Sequence, residues 1–197
     1  MQEVVIVDSG GANLASLQFA LARLGARGAV TADARTIAGA DRVLLPGVGA
    51  AAPTMQRLRA AGLLSVLRAL RQPVLGVCLG MQLLFDRSEE GATDCLGVLP
   101  YTVRGLTPAP GHPVPHMGWN SLQCLKEDPL LEDVADGDFA YFVHSYASQL
   151  TPHTLASAQY GTTLSAVVRR DNFWGTQFHP ERSAATGARV LRNFLRL

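Results

Sequence analysis

The 197-residue chain is poor in cysteine, and its three cysteines are badly spaced for a structural cross-link or a metal site. Residues 78, 95 and 124 are odd in number and show no C-x-x-C spacing. That argues against a disulfide framework or a zinc site and makes a cytoplasmic setting the expectation. Excess charge of either sign is also missing: Lys+Arg 17 against Asp+Glu 16 leaves a formal net charge of +1. A nucleic-acid-binding protein would show a basic patch or stripe. No apolar run approaches the roughly 20 residues that span a bilayer. The opening MQEVVIVDSGG has an acidic residue and a short strand where a basic signal segment would stand. Neither nucleic acid nor membrane is therefore expected as a partner, and neither metal nor cofactor is expected. Ser9-Gly10-Gly11 lacks the full G-x-G-x-x-G pattern and reads as a tight turn, not a dinucleotide site. Repeats, low-complexity tracts and long linkers are absent too, so residues 1–197 are expected to form one domain.

What is present is an alternation of buried strands and amphipathic helices. Residues 3–8 form an apolar run ending in an acid, the pattern of a central parallel strand. Residues 12–24 have helical spacing and stop at Gly25. A second buried strand, 42–45, leads into PGVGAAAP, and residues 54–70 read as one long amphipathic helix. A third strand, 73–77, runs straight into a helix from about Leu79. This order implies right-handed crossovers and a mostly parallel sheet flanked by helices, as in flavodoxin-like α/β folds. After Gly97 the texture changes to short alternating segments (97–103, 139–146, 154–160, 164–170, 173–178), which add antiparallel strands. Residues 183–196 read as a closing helix.

The centre of interest is Gly76-Val77-Cys78-Leu79-Gly80, which has the spacing of a G-x-S-x-G nucleophile elbow with sulfur in place of hydroxyl. Glycines two positions either side allow a strand to reverse into a helix where a β-carbon would clash. A cysteine at that corner faces a helix N-terminus, which favours thiolate. Free cysteines also fill cores, so the pentapeptide alone leaves both readings open. Pro46-Gly47-Val48-Gly49 could point a backbone N–H into a cavity, as an oxyanion hole needs, or be a plain strand-to-helix turn. A thiol nucleophile needs a base, often oriented by a carboxylate. Of five histidines, His112 and His153 read as turn residues on the surface, and His116 and His144 as structural histidines beside aromatic strands. His179 ends a strand in FWGTQFHPERS, and Pro180 must stop the ladder there. The break can fold Glu181 back onto the imidazole. A strand-end histidine beside a solvated glutamate is the alternative.

GVCLGMQLL followed about a hundred residues later by FHPE resembles the class I, or triad, glutamine amidotransferases. PGVGA, PHMGWN, YFVHSY and GTQFHPERS, together with GVG and LGMQ where anthranilate-type subunits carry GPG and LGHQ, are similar to the glutaminase subunits of imidazole glycerol phosphate synthases. The resemblance implies Cys78 as nucleophile, His179 as base and then acid, and Glu181 as the orienting carboxylate. It implies oxyanion donors at Leu79 and the Val48-Gly49 segment. Glutamine contacts are implied at Gln82, one helical turn past the cysteine, and at the Ser145-Tyr146 backbone. The implied substrate is L-glutamine and the implied partner a (β/α)8-barrel synthase subunit that receives ammonia through a channel. Asn13, Trp119, Asn120, Tyr141 and Arg182 match positions expected near that partner. The chain departs from the pattern in DSGGAN, in the missing phenylalanine after the oxyanion loop, and in Arg182 where lysine is frequent. A different amidotransferase subunit, a stand-alone γ-glutamyl cysteine hydrolase and a non-catalytic flavodoxin-like scaffold are the alternatives.

Overall fold

A computed structural model describes residues 2–10, 14–47 and 49–197, with Gln2 and Glu3 given by backbone alone. Val48 and Asn13, and with them Gly11 and Ala12, lie outside the described residues. The first half alternates strand and helix: β1 (Gln2–Val7), α1 (Leu14–Arg23), β2 (Ala26–Thr31), α2 (Ala34–Ala38), β3 (Val43–Gly47), α3 (Ala51–Ala60), α4 (Leu63–Ala69), β4 (Val74–Cys78) and α5 (Leu79–Gln82). The second half is strand-rich: β5 (Phe85–Ser88), β6 (Thr93–Asp94), β7 (Leu99–Gly105), β8 (His116–Ser121), β9 (Gln123–Cys124), β10 (Phe139–His144), β11 (Tyr146–Ala147), β12 (Thr154–Tyr160), β13 (Thr162–Arg170) and β14 (Phe173–Thr176). Helix α6 (Ala184–Phe194) closes the chain.

Eight strands form the central sheet in the order β2-β1-β3-β4-β14-β13-β12-β9. Pairings from β2 through β14 are parallel, and those of β13, β12 and β9 are antiparallel. A four-stranded sheet (β11-β7-β5-β6) and a two-stranded ribbon (β10-β8) are built beside it. Successive side chains of a strand point to opposite faces, and β1 shows the consequence. Val4 and Ile6 join Leu17 and Leu21 of α1 and Val190 and Phe194 of α6 on one side. Val5 and Val7 join Met55 and Leu58 of α3 and Leu63 and Leu67 of α4 on the other. The α/β architecture with added antiparallel strands agrees with the sequence reading.

Several elements differ from it. The single helix expected over 54–70 is two helices, α3 and α4, broken at Gly62, whose φ of 69° is left-handed. A helix cannot continue through that conformation, which glycine alone adopts at little cost. Strand β2 and helix α2 carry no clear apolar pattern, because β2 is half-exposed at the sheet edge and α2 is a single short turn with one buried residue, Ile37. The helix after the elbow is one turn only, and the strand expected to reach Phe178 stops at Thr176.

Candidate active site

Strand β4 lies between β3 and β14, with Cys78 in register with Gly47 and Val77 with Thr176. The loops following these three neighbouring strands open at their carboxyl ends, where sites of open α/β sheets form. At the elbow α5 presses directly on the sheet. A β-carbon on Gly80 would sit 1.7 Å from the Leu45 carbonyl oxygen, and one on Gly76 would sit 2.7 Å from the Gly80 carbonyl oxygen. The glycines therefore supply room, and the strain falls on Cys78 itself, with φ 54° and ψ −111°. Backbone strain of this kind in a non-glycine residue persists where surrounding structure imposes it, and it clusters at functional sites. The four-residue α5 offers only a short dipole, so the charge environment of the sulfur is set mainly by its side-chain neighbours.

Those neighbours come from the far end of the chain. Pro180 begins a single 3₁₀ turn, Pro180–Arg182, immediately after His179. The turn brings Glu181 back so that its Oε1 lies 2.9 Å from His179 Nδ1, with the two side chains 5% and 10% exposed. Glu181 Oε2 is buried with no hydrogen-bond partner among the described residues. The imidazole is thus the main compensation for a buried carboxylate, and breaking such a pair is costly. The His179 backbone is fixed as well. Its N–H donates to the Tyr141 carbonyl at 3.0 Å, and Ser183 Oγ donates to its carbonyl at 2.7 Å. Burial pushes His179 toward the neutral form, but hydrogen bonds and charge from Cys78 and Glu181 prevail and raise its pKa from 6.5 to about 10. Because Nδ1 is taken by Glu181, Nε2 is the nitrogen turned to the thiol.

Cys78 and His179 open into one cavity of about 320 Å³, also lined by Gly47, Gly49, Leu79, Val143 and Arg182. Cys78 Sγ lies 3.7 Å from the Val143 carbonyl oxygen and 3.9 Å from Gln177 Nε2. The other two thiols differ. Burial, then the charge of Asp94, pushes Cys95 up to about 11, and burial, then Asp136 and Asp138, raises Cys124. Cys124 lies on a larger cavity of about 670 Å³, where its thiol donates to the Val134 carbonyl. A thiol held protonated is a poor nucleophile.

Gln82 is buried, not an exposed helix residue: its Nε2 donates to the Tyr146 carbonyl at 2.8 Å and to Gln177 Oε1 at 3.1 Å. The Ser145 carbonyl accepts from Leu106 N–H. Trp119 and Tyr141 pair across β8 and β10, with ring centroids 5.9 Å apart. Arg182 is exposed at the cavity. Asn120 points to the other side of the ribbon, donating to the Gln159 carbonyl at 2.9 Å. His116 and His144 are buried as expected, but they also bond each other; His112 and His153 are half-buried, not fully exposed. The sequence reading missed Gln177. Its position one residue after β14, two before His179, was the available signal.

A model of the class-I glutamine amidotransferase family matches residues 5–197, and the chain belongs to that family. More particularly, it is 54% identical to the imidazole glycerol phosphate synthase subunit HisH of Xylella fastidiosa strain Temecula1, over 100% of this chain and 98% of that protein. The same identity and coverage hold for the subunit of that name in Xanthomonas euvesicatoria. Among solved structures, a glutamine amidotransferase superposes with a TM-score of 0.76 at 21% identity, covering 98% of this chain and 97% of the other, which speaks to the fold. Among the described residues no helix is long and apolar enough to cross a membrane.

Proposed function

We propose that this chain is the glutaminase subunit of an imidazole glycerol phosphate synthase, working in the cytoplasm as one domain over residues 1–197. The observation that carries the reading is Cys78 held at a strained corner with His179 on the same cavity and Glu181 bonded to the far nitrogen of that imidazole. Glutamine enters with its side-chain carbonyl at Cys78. The Cys78 sulfur attacks the amide carbon as the thiolate, its proton already held on the His179 imidazolium. The tetrahedral oxyanion is held by the Leu79 N–H and an N–H of the Val48-Gly49 segment. Losing one donor of that kind typically raises a barrier by about 2.7–4 kcal/mol. His179 then protonates the leaving nitrogen, the C–N bond breaks, and ammonia departs from a γ-glutamyl thioester. Water, deprotonated by His179, attacks the thioester carbon; the C–S bond breaks, glutamate leaves, and the proton stays on His179 beside the restored thiolate. Glu181 holds the ring by Nδ1 and balances the imidazolium that forms in each half-reaction. Gln82 and the Ser145-Tyr146 backbone bind the substrate.

Free ammonia would become ammonium in water, so its release must be covered. The ribbon offers a surface for that purpose. Met117, Trp119 and Phe139 are 61%, 53% and 58% exposed and share one face with Tyr141 and Val143. Val143 also lines the nucleophile's cavity, so the apolar face runs to its mouth. An exposed apolar patch of this kind marks an interaction site. The partner proposed for it is the (β/α)8-barrel synthase subunit as a heterodimer, with Arg182 at the cavity and Asn13, outside the described residues, as a further proposed contact. The test is glutamate production with and without that subunit and its nucleotide ligand. Strong stimulation by the loaded partner supports the reading, whereas full activity of the isolated chain favours a stand-alone hydrolase.

A further inference from the structure

A second polar assembly runs through the interior beside the cavity, and the reaction described above makes no use of most of it. His116 on β8 and His144 on β10 are register partners in the ribbon, 2% and 6% exposed. His116 Nδ1 lies 3.0 Å from His144 Nε2. Their neighbours fix the protons. His144 Nδ1 lies 2.9 Å from the Tyr146 carbonyl oxygen, which can only accept, so Nδ1 carries the hydrogen and Nε2 receives one from His116. His116 is then also the Nδ1–H tautomer, and its Nε2 faces the Asn120 amide nitrogen at 3.3 Å. Asn120 is oriented in turn, because its Oδ1 takes the Ser121 N–H at 2.8 Å. An extra proton on either ring would set donor against donor. Burial, with lesser help from neighbouring histidines, lowers His116 to about 4 and His144 to about 3, in keeping with two neutral rings. Phe142 and Tyr160 stack on His116 at centroid distances of 4.8 and 3.8 Å and fix its plane.

The far end of this chain of bonds is the nucleophile. The Tyr146 carbonyl that accepts from His144 also accepts from Gln82. The same Gln82 nitrogen gives its other hydrogen to Gln177, whose own amide nitrogen faces Cys78 Sγ. Each donor and acceptor has one consistent assignment from Asn120 to the sulfur.

We propose that the His116–His144 pair is a positioning device for glutamine cleavage: it fixes the Tyr146 carbonyl, that carbonyl orients Gln82, and Gln177 carries the order on to Cys78. The proposal rests on the glutaminase reading of the cavity. It is tested in the assembled heterodimer with two substitutions at one position. His144→Phe keeps an aromatic ring and removes both bonds, while His144→Asn places an amide nitrogen near the former Nδ1 and can still donate to Tyr146. We expect His144→Phe to lower glutamine kcat/KM by about tenfold to a hundredfold, the range a small misplacement costs. Ammonia-driven synthesis should not change, and His144→Asn should recover most of the loss. The Gln82 and Gln177 side-chain amide NMR signals should move in His144→Phe and return in His144→Asn. Wild-type kcat and KM in His144→Phe, or equal impairment of the two variants, overturns the proposal. If His144→Phe does not fold, His116→Phe must show the same loss and the same moved signals, and wild-type values there overturn it. If the wild-type pair releases no glutamate from glutamine, the glutaminase reading fails instead, and unmoved amide signals would overturn the relay separately.

Discussion

At the scale of single residues, the proposed reaction puts its weight on three side chains, Cys78, His179 and Glu181, with distinct failure modes. We expect Cys78→Ser and His179→Ala each to cut glutamine-dependent synthesis by at least about 10³-fold, as removal of a nucleophile or its base does. Ammonia-dependent synthesis by the partner should survive both, and assays with the two nitrogen sources check this. Cys95→Ala and Cys124→Ala should leave kcat and KM within about twofold, since neither thiol touches His179 and neither belongs to the proposed reaction. The His179 pKa, raised from 6.5 to about 10, has a further consequence. The folded state holds that proton more tightly than the unfolded chain, so the associated stability is fully present below about 6.5 and is lost as pH rises through about 10. Glu181→Gln removes part of the cause. Urea midpoints measured from pH 6 to 10 should fall more steeply in the wild type than in this variant, and parallel curves would contradict the assignment. The three side chains could be read from sequence because each sits in a short local pattern, G-x-C-x-G or H-P-E. The bonding of Gln177 and of the His116–His144 pair could not, because their partners are supplied by strands far apart in the chain.

At the scale of elements, the elbow depends on the closeness of α5 to the sheet. Gly80→Ala would drive a methyl group into the Leu45 carbonyl at 1.7 Å, and the sheet cannot yield there without breaking register with β3. We expect a loss of at least about 1–3 kcal/mol, the usual range for overpacking, seen as a lower urea midpoint. Gly62→Ala, which has open space around it but φ 69°, should cost about 1–2 kcal/mol from backbone strain alone. These two glycines explain what sequence periodicity could and could not reveal. The strong apolar runs of β1, β3 and β4 disclose buried strands directly. The α3–α4 break is hidden because apolar spacing continues across it, and only the left-handed turn at Gly62 separates the helices. Strand β2 and helix α2 are set by their place at the sheet edge, which local composition does not encode.

At the scale of the whole molecule, the arrangement joins the cavity at Cys78 and His179 to an exposed apolar face on the β8–β10 ribbon. Trp119→Glu should abolish heterodimer formation while leaving the thermal midpoint of the isolated chain within a few degrees, since Trp119 is half-exposed and packs mainly against Tyr141. Analytical ultracentrifugation of the mixed subunits would read this, and unchanged association would move the docking site elsewhere. The fold class was legible because strand and helix alternate; the ribbon's outward apolar face was not, because it depends on which side of a two-stranded sheet the core covers. The central claim is that one particular sulfur, activated by an imidazole from the other end of the chain, opens the glutamine amide. Intact-mass and peptide analysis after treatment with a glutamine-analogue diazoketone tests it most directly. One equivalent bound at Cys78, lost in His179→Ala, is the predicted result. Modification at Cys95 or Cys124 with Cys78 untouched, in protein that still releases glutamate from glutamine, would contradict it.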